Sequence, residues 1–236
     1  MTKVVAISGS PDMEKSNTSM ILDPFLEGVR DAGASVDLFY AKRLKVRPCI
    51  GDFDCWEATP GECRIRDDMQ AIYPKLKGAD ILVLATPVYI PLPGEMQNVI
   101  NRLCPLLNPI ITMRDGRSRA KLRADVRISR IVLVSSCGWW EKGNFDTVVR
   151  IAKELAKDMN VKFAGAVLRP HVHLMSKDEE EAKEVFRAAK RAGYEVVKHG
   201  RIPKELLDTV AKPLISEKEF KRRNNARIED VNLQAR

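Results

Sequence analysis

No stretch of about eighteen consecutive apolar residues occurs in this chain, so hydropathy offers no transmembrane helix. The first residues, Met1 to Ile7, run straight into a strand pattern. They lack the apolar stretch and cleavage site of a signal peptide, so a cytoplasmic protein is expected. Two nucleotide fingerprints are also missing. There is no Gly-Lys-Ser or Gly-Lys-Thr ending of an ATP-binding loop, and no Gly-x-Gly-x-x-Gly of a standard dinucleotide site. Aromatic residues are only 6% of the chain. None interleaves with the basic clusters, which removes the stacking platforms that nucleic-acid binding usually needs. Cysteine is scarce and odd in number, five in all, which argues against a disulfide framework. Internal repeats and low-complexity segments are absent.

What is present fits one decorated globular domain. The 236 residues, 44% hydrophobic and 31% charged, are enough to bury a real core. The formal charge is +8. Much of the excess lies in 114–130, where Arg114, Arg117, Arg119, Lys121, Arg123, Arg127 and Arg130 face only Asp115 and Asp125. A second basic run is Lys221-Arg222-Arg223. These read either as a solvated loop and tail or as an anchor for nucleotide phosphates.

The dominant pattern is strand, loop, helix, repeated. Strands are expected over Lys3–Ser8, Ser35–Tyr40, Asp80–Thr86, Arg130–Ser136 and Val161–Leu168. Helical spacing covers about 17–33, with Ile21, Leu22, Phe25, Leu26 and Val29 on one side, then Pro93–Leu103, 144–158 and 178–199. This predicts an α/β fold: a doubly wound, five-stranded parallel sheet with helices on both faces. Residues 1–200 form the domain, and 201–236 a helical extension that wraps the body or a neighbouring subunit. In such sheets ligands bind at the carboxyl ends of strands near the switch point.

Three loops meet that condition. The first runs from Ser8-Gly9-Ser10-Pro11 through Ser16-Asn17-Thr18-Ser19 and opens a helix. Hydroxyls and a helix N-terminus without a nearby Lys or Arg suit a monoester phosphate; an ordinary turn capped by Ser16 or Asn17 is the alternative. The second, Thr86-Pro87-Val88-Tyr89-Ile90-Pro91, offers backbone polar groups and one ring. The third, Ser136-Cys137-Gly138-Trp139-Trp140-Glu141, carries adjacent tryptophans that either cover a planar ligand or plug the core.

In combination, Ile7 to Pro11, Ser16 to Ser19, Asp67 to Met69, Ala79-Asp80, Thr86 to Tyr89 and the Gln97–Arg102 helix resemble the NADPH-dependent FMN reductase and iron–sulfur flavoprotein family over roughly 1–170. The resemblance implies a flavodoxin-like fold, bound FMN, and a homodimer or homotetramer. It implies that Ser8, Ser10, Asn17 and Thr18 contact the phosphate, with Ser16 a further hydroxyl in the same loop. Pro87, Val88, Tyr89 and Ile90 then border the isoalloxazine, and Ser136, Cys137 and Gly138 form a third wall, with Trp139 available to cover the ring. The function expected is an oxidoreductase passing electrons from NAD(P)H through FMN to a second acceptor. The flavin does the chemistry, so no catalytic side chain is named. Two alternatives stay open: an FMN electron carrier, with or without a cluster, fed by ferredoxin, and a non-redox nucleotide-binding module.

An insertion at about 47–66 holds Cys49, Cys55 and Cys63, with Asp52 where the resemblance implies a further cysteine. An iron–sulfur cluster normally takes four thiolates, and carboxylate is a harder, weaker ligand. A cluster, a structural remnant, or a zinc site of three Cys and Asp52 are the readings, and Asp54 adds negative charge against a cluster. Asp67 and Asp68 read as helix caps, Arg102 as a helix-dipole partner, Cys104 as buried and inert. His171 and His173 share a face if their segment is extended.

Overall fold

The computed structural model describes residues 1–175 and 179–234. The strands are β1 (Lys3–Ser8), β2 (Ser35–Tyr40), β3 (Ile81–Pro87), β4 (Leu107–Arg114), β5 (Arg117–Leu122), β6 (Arg130–Ser136) and β7 (Lys162–Arg169). The helices are α1 (Ser19–Asp31), α2 (Met69–Gly78), α3 (Gly94–Asn101), α4 (Asp146–Met159), α5 (Glu179–His199), α6 (Lys204–Ala211) and α7 (Glu217–Gln234). Residue 178, where the long helix is expected to begin, and residues 235 and 236 of the tail lie outside the described residues.

Strands β2-β1-β3-β6-β7 form one sheet in that order, and every pair in it is parallel. This is the flavodoxin-like order, with its switch point between β1 and β3. The middle strands read as unbroken apolar runs because both faces are covered: Ile81 to Thr86 are all buried. One face packs Leu82 and Leu84 against Met96 and Val99 of α3 and Val148 of α4. The other packs Val4, Ala6 and Val83 against Phe25 of α1 and Ala192 of α5. Helices α1 and α5 touch at Gly28 and Gly193, where a Cβ would fall 1.7 Å and 1.9 Å from carbonyl oxygens of the opposite helix.

The basic segment at 114–130 is not a solvated loop. Its first part belongs to an antiparallel hairpin, β4–β5. Asp115 and Gly116 both have positive φ, 51° and 69°, as a two-residue hairpin turn with matching twist requires. Arg119 is buried and pairs with Glu154 and Asp158 of α4 at 2.6 and 2.7 Å. Arg114 donates to the carbonyl of Lys157 at 2.9 Å, and Arg127 pairs with Asp80 at 2.8 Å. These three cations hold the hairpin and the sheet, while Arg117 and Lys121 of the same segment are exposed.

The extension begins on the body. Ile202 N–H donates to Ala164 O at 3.2 Å. The fully buried Arg169 donates to the carbonyls of Val210 and Lys212, both at 2.8 Å, placing a cation at the carboxyl end of α6. The second helix of the extension, α7, is 18 residues long rather than short.

Candidate functional site

Three loops meet at the carboxyl edge of β1, β3 and β6. Gly9 N–H donates to Ala85 O at 2.7 Å, joining the first loop to β3. The Thr18 and Ser136 hydroxyls share a hydrogen bond of 2.8 Å, joining the first loop to the third. Val88 N–H donates to Ser136 O at 2.9 Å, joining the second to the third. Ser136 is therefore the hub of the edge.

Within the first loop, Ser16 Oγ accepts from Ser19 N–H at 3.1 Å, the expected cap at the start of α1. Ser19 Oγ donates to Met13 O at 2.6 Å. Ser8, Ser10, Ser16 and Thr18 are buried, and Asn17 is exposed. Gly9 lies against α3: a Cβ there would sit 2.6 Å from Met96 Cβ. Ser8 Oγ is buried with no hydrogen-bond partner in the protein. A buried hydroxyl left unpaired costs free energy, and beside a helix N-terminus it is the fit expected of a phosphate-holding cradle.

In the second loop, Tyr89 N–H donates to Pro91 O at 2.9 Å, and the Ile90–Pro91 bond is cis. Tyr89 and Ile90 stand 54% and 101% exposed. The third loop divides its tryptophans. Trp140 donates through Nε1 to Ile215 O at 3.0 Å, tying the loop to the extension. Trp139 is 59% exposed and shares a cavity of about 540 Å³ with Val88, Tyr89, Ile90 and Pro91. Asn144 and Thr147 complete that cavity; both precede or open α4, and no sequence signal marks them. Cys137 is buried, its Sγ accepting from Trp139 N–H at 3.3 Å. Burial raises its thiol above the ordinary range. Gly138 is exposed.

The histidines do not share a face of an extended segment. His171 is left-handed, with φ 37°, and a short 3-10 turn follows. Its Nε2 accepts from Arg169 at 2.7 Å and from Leu214 N–H at 3.1 Å. Burial, with the Arg169 charge, lowers its pKa to about 4, so it is neutral at pH 7.

A family model described as NADPH-dependent FMN reductase matches residues 2–121. The chain belongs to that family. FMN is its cofactor, and the cradle around Ser8 fits a monoester phosphate. The matched part runs through the first two loops and the hairpin, and stops before the third loop. Curated relatives include an iron–sulfur flavoprotein of Archaeoglobus fulgidus, 32% identical over 42% of this chain and 48% of its own. Another, from Methanosarcina thermophila, is 32% identical over 42% of this chain and 50% of its own. The chain thus spans about half the length of the curated relatives it matches. Among solved structures, an NAD(P)H:quinone oxidoreductase from Methanothermobacter marburgensis superposes with TM-score 0.57 at 16% identity, covering 84% of this chain and 98% of that one. A quinone reductase-like protein from Klebsiella pneumoniae gives TM-score 0.59 at 15% identity, covering 86% and 87%. At these identities the likeness shows the fold.

The cysteine insertion lies on the α3–α4 side. Cys49 is exposed, Cys55 buried and Cys63 half-buried. All three line a cavity of about 390 Å³, and so do Asp52 and Cys104. Cys104 is therefore not an isolated core thiol. Burial raises Cys55 to about 11, and the charges of Cys104, Cys63, Cys49 and Asp52 add to the rise. Arg64 lies 3.7 Å from Asp52 and 3.0 Å from Asp54, so the local negative charge expected from Asp54 is offset. Arg102 does more than balance a helix dipole. It is buried, and its guanidinium reaches Arg47 O at 2.9 Å and Ile65 O at 3.2 Å, one at each end of the insertion. Asp67 accepts from Met69 N–H at 3.1 Å, as a cap would, but also from Arg47 N–H at 3.0 Å and from Arg102. Asp68 accepts from Lys45 N–H at 2.8 Å instead of capping α2.

Proposed function

We propose that this chain is an FMN oxidoreductase that takes hydride from NAD(P)H and passes the electrons to a second acceptor. The observation that carries this reading is the open cavity where Tyr89, Ile90 and Trp139 stand exposed beside three loops hydrogen-bonded through Ser136. A site that only stored FMN would have no use for an open, aromatic-edged space over its ring position; one that admits a nicotinamide and then an acceptor needs it.

In this reading Ser8, Ser10, Ser16 and Thr18 hold the phosphate at the start of α1, with Asn17 at the rim. Pro87, Val88, Tyr89 and Ile90 border one edge of the ring, while Ser136, Cys137 and Gly138 form the wall opposite. Trp139 limits water at the open side. Bound FMN supplies the hydride acceptor and the one-electron chemistry. The protein's own part is orientation and exclusion of water, so no side-chain acid or base is assigned. We also propose a cytoplasmic homodimer or homotetramer; Ile110, Ile111 and Met113, exposed on the hairpin, are surface that a second copy would cover.

Steady-state oxidation of NADH and NADPH by the FMN-loaded chain, with ferricyanide as acceptor, tests the reading. Turnover with at least one nucleotide is expected. Full FMN occupancy with no turnover would favour an electron carrier, the second reading, which the iron–sulfur flavoprotein relatives support.

A further inference from the structure

We infer, resting on the NAD(P)H reading above, that helix α7 supplies the phosphate-binding end of the nicotinamide nucleotide site, with Arg227 as its cation and Asn224 and His173 beside it. A cavity of about 450 Å³ is lined by Gly138, Trp139, His173, Asn224 and Arg227. Trp139 also borders the cavity of about 540 Å³ at Val88, Tyr89 and Ile90. The two spaces therefore meet at one indole. The first is edged mainly by apolar and aromatic groups. The second adds a guanidinium, a carboxamide and an imidazole.

Contacts at the start of α7 set its course. Trp140 Nε1 donates to Ile215 O and Leu214 N–H donates to His171 Nε2, which holds the chain just before the helix. Phe220 is then buried, its ring centroid 6.1 Å from that of His171 and 6.0 Å from that of His173. Positions 220, 224 and 227 are spaced i, i+4 and i+7, so they share one face of the helix. A helix kept only for packing would stay apolar along that face. Here it turns polar after Phe220, where Asn224 and Arg227 border the open space beside Trp139. Arg227 also differs from the other cations of α7. Lys221 pairs with Glu217, and Arg222 and Arg223 pair with Glu219 at 2.8 and 2.6 Å. Among the described residues no carboxylate pairs with Arg227.

The chemistry of this group matches phosphate. A guanidinium presents a planar fork of N–H donors to phosphate oxygens, and an amide and an imidazole each add a donor. A nicotinamide dinucleotide carries its reacting ring at one end and its phosphates further along. With the ring in the first cavity, the rest of the molecule passes Trp139 and enters the second. A small acceptor without phosphate would need the first cavity alone.

The test is calorimetric titration of the FMN-loaded chain with NADP+ and, separately, with NAD+, which reads binding without turnover. R227Q should weaken NADP+ binding about fivefold at low salt. The loss should shrink in high salt, because Arg227 is exposed. R222Q removes the same charge from a residue outside the cavity and should bind as the parent does. A loss confined to NADP+ assigns the 2′-phosphate to Arg227, and an equal loss with both nucleotides assigns the diphosphate. The site is overturned by a parent chain that binds neither nucleotide, by R227Q binding both as tightly as the parent, or by R222Q losing as much as R227Q. Flavin reduction by NAD(P)H together with unaltered binding in R227Q would remove the α7 site and leave the hydride reading standing. Nucleotide binding weakened in R227Q, with a flavin that neither NADH nor NADPH reduces, would keep the α7 site and remove the hydride reading.

Discussion

Arg102 and Asp67 form a bidentate ion pair inside the protein, with Nη1–Oδ2 2.7 Å and Nη2–Oδ1 3.1 Å. Their side chains are only 1% and 5% exposed. The same guanidinium holds Arg47 O and Ile65 O, and Tyr73 OH donates to Arg102 O at 2.8 Å. One pair thus fixes the insertion, α2 and the end of α3 to one another.

Removing one partner leaves an uncompensated buried charge, which costs about 3–5 kcal/mol. D67A should therefore unfold at markedly lower urea than the parent. Replacing both partners with apolar residues, as in R102M with D67L, should recover much of that loss. Equal midpoints for D67A and the parent would contradict this role.

The pair also predicts a pH dependence. Burial alone would raise the Asp67 pKa, but hydrogen bonds from Arg102 and from the Arg47 and Met69 N–H groups outweigh it and hold the carboxyl below its usual value. A depressed folded pKa contributes stability that is present above the unfolded value, near 4, and lost as pH falls through the folded one. The urea-midpoint gap between the parent and D67N should be constant from neutral pH down to about pH 4 and close below it.

The parallel sheet was legible because runs such as Ile81 to Ala85 and Ile131 to Val134 are apolar at every position, which only a strand covered on both faces requires. The loop that opens α1 was legible because hydroxyls crowd before a helix. The hairpin was hidden by arginines, although Asp115-Gly116 is a strong turn signal that the charge count obscured. Asn144, Thr147 and Cys104 were not legible at all. Their places beside the two cavities come from α3 and α4 folding back beside loops distant in sequence, and no local period encodes that.

Ser8 separates a cofactor role from a structural one. Its hydroxyl has no partner in the protein, so S8A should leave the FMN-free protein's urea midpoint unchanged or slightly raised. If that hydroxyl bonds the phosphate, a charge-assisted bond of about 1.5–3 kcal/mol is lost, and FMN should bind roughly ten- to a hundredfold more weakly. Unchanged FMN affinity would remove Ser8 from the site.

Gly9 and Met96 should couple. A Cβ at position 9 would meet Met96 Cβ at 2.6 Å and Cγ at 2.8 Å, and such overpacking costs about 1–3 kcal/mol. G9A should destabilise the protein and weaken FMN binding as the loop moves. Since M96G removes every obstructing atom, Cβ included, the double variant should cost less than the two single losses summed. Strict additivity would mean that the contact does not position the loop.

The central claim is that this fold holds FMN and reduces it with a nicotinamide. Anaerobic rapid mixing of the FMN-loaded chain with NADPH, and separately with NADH, tests it most directly, with flavin absorption as the readout. The account predicts about one FMN bound per chain and bleaching of that flavin by about one equivalent of at least one nucleotide. A chain that binds no FMN, or whose bound flavin stays oxidised with both nucleotides, would contradict it.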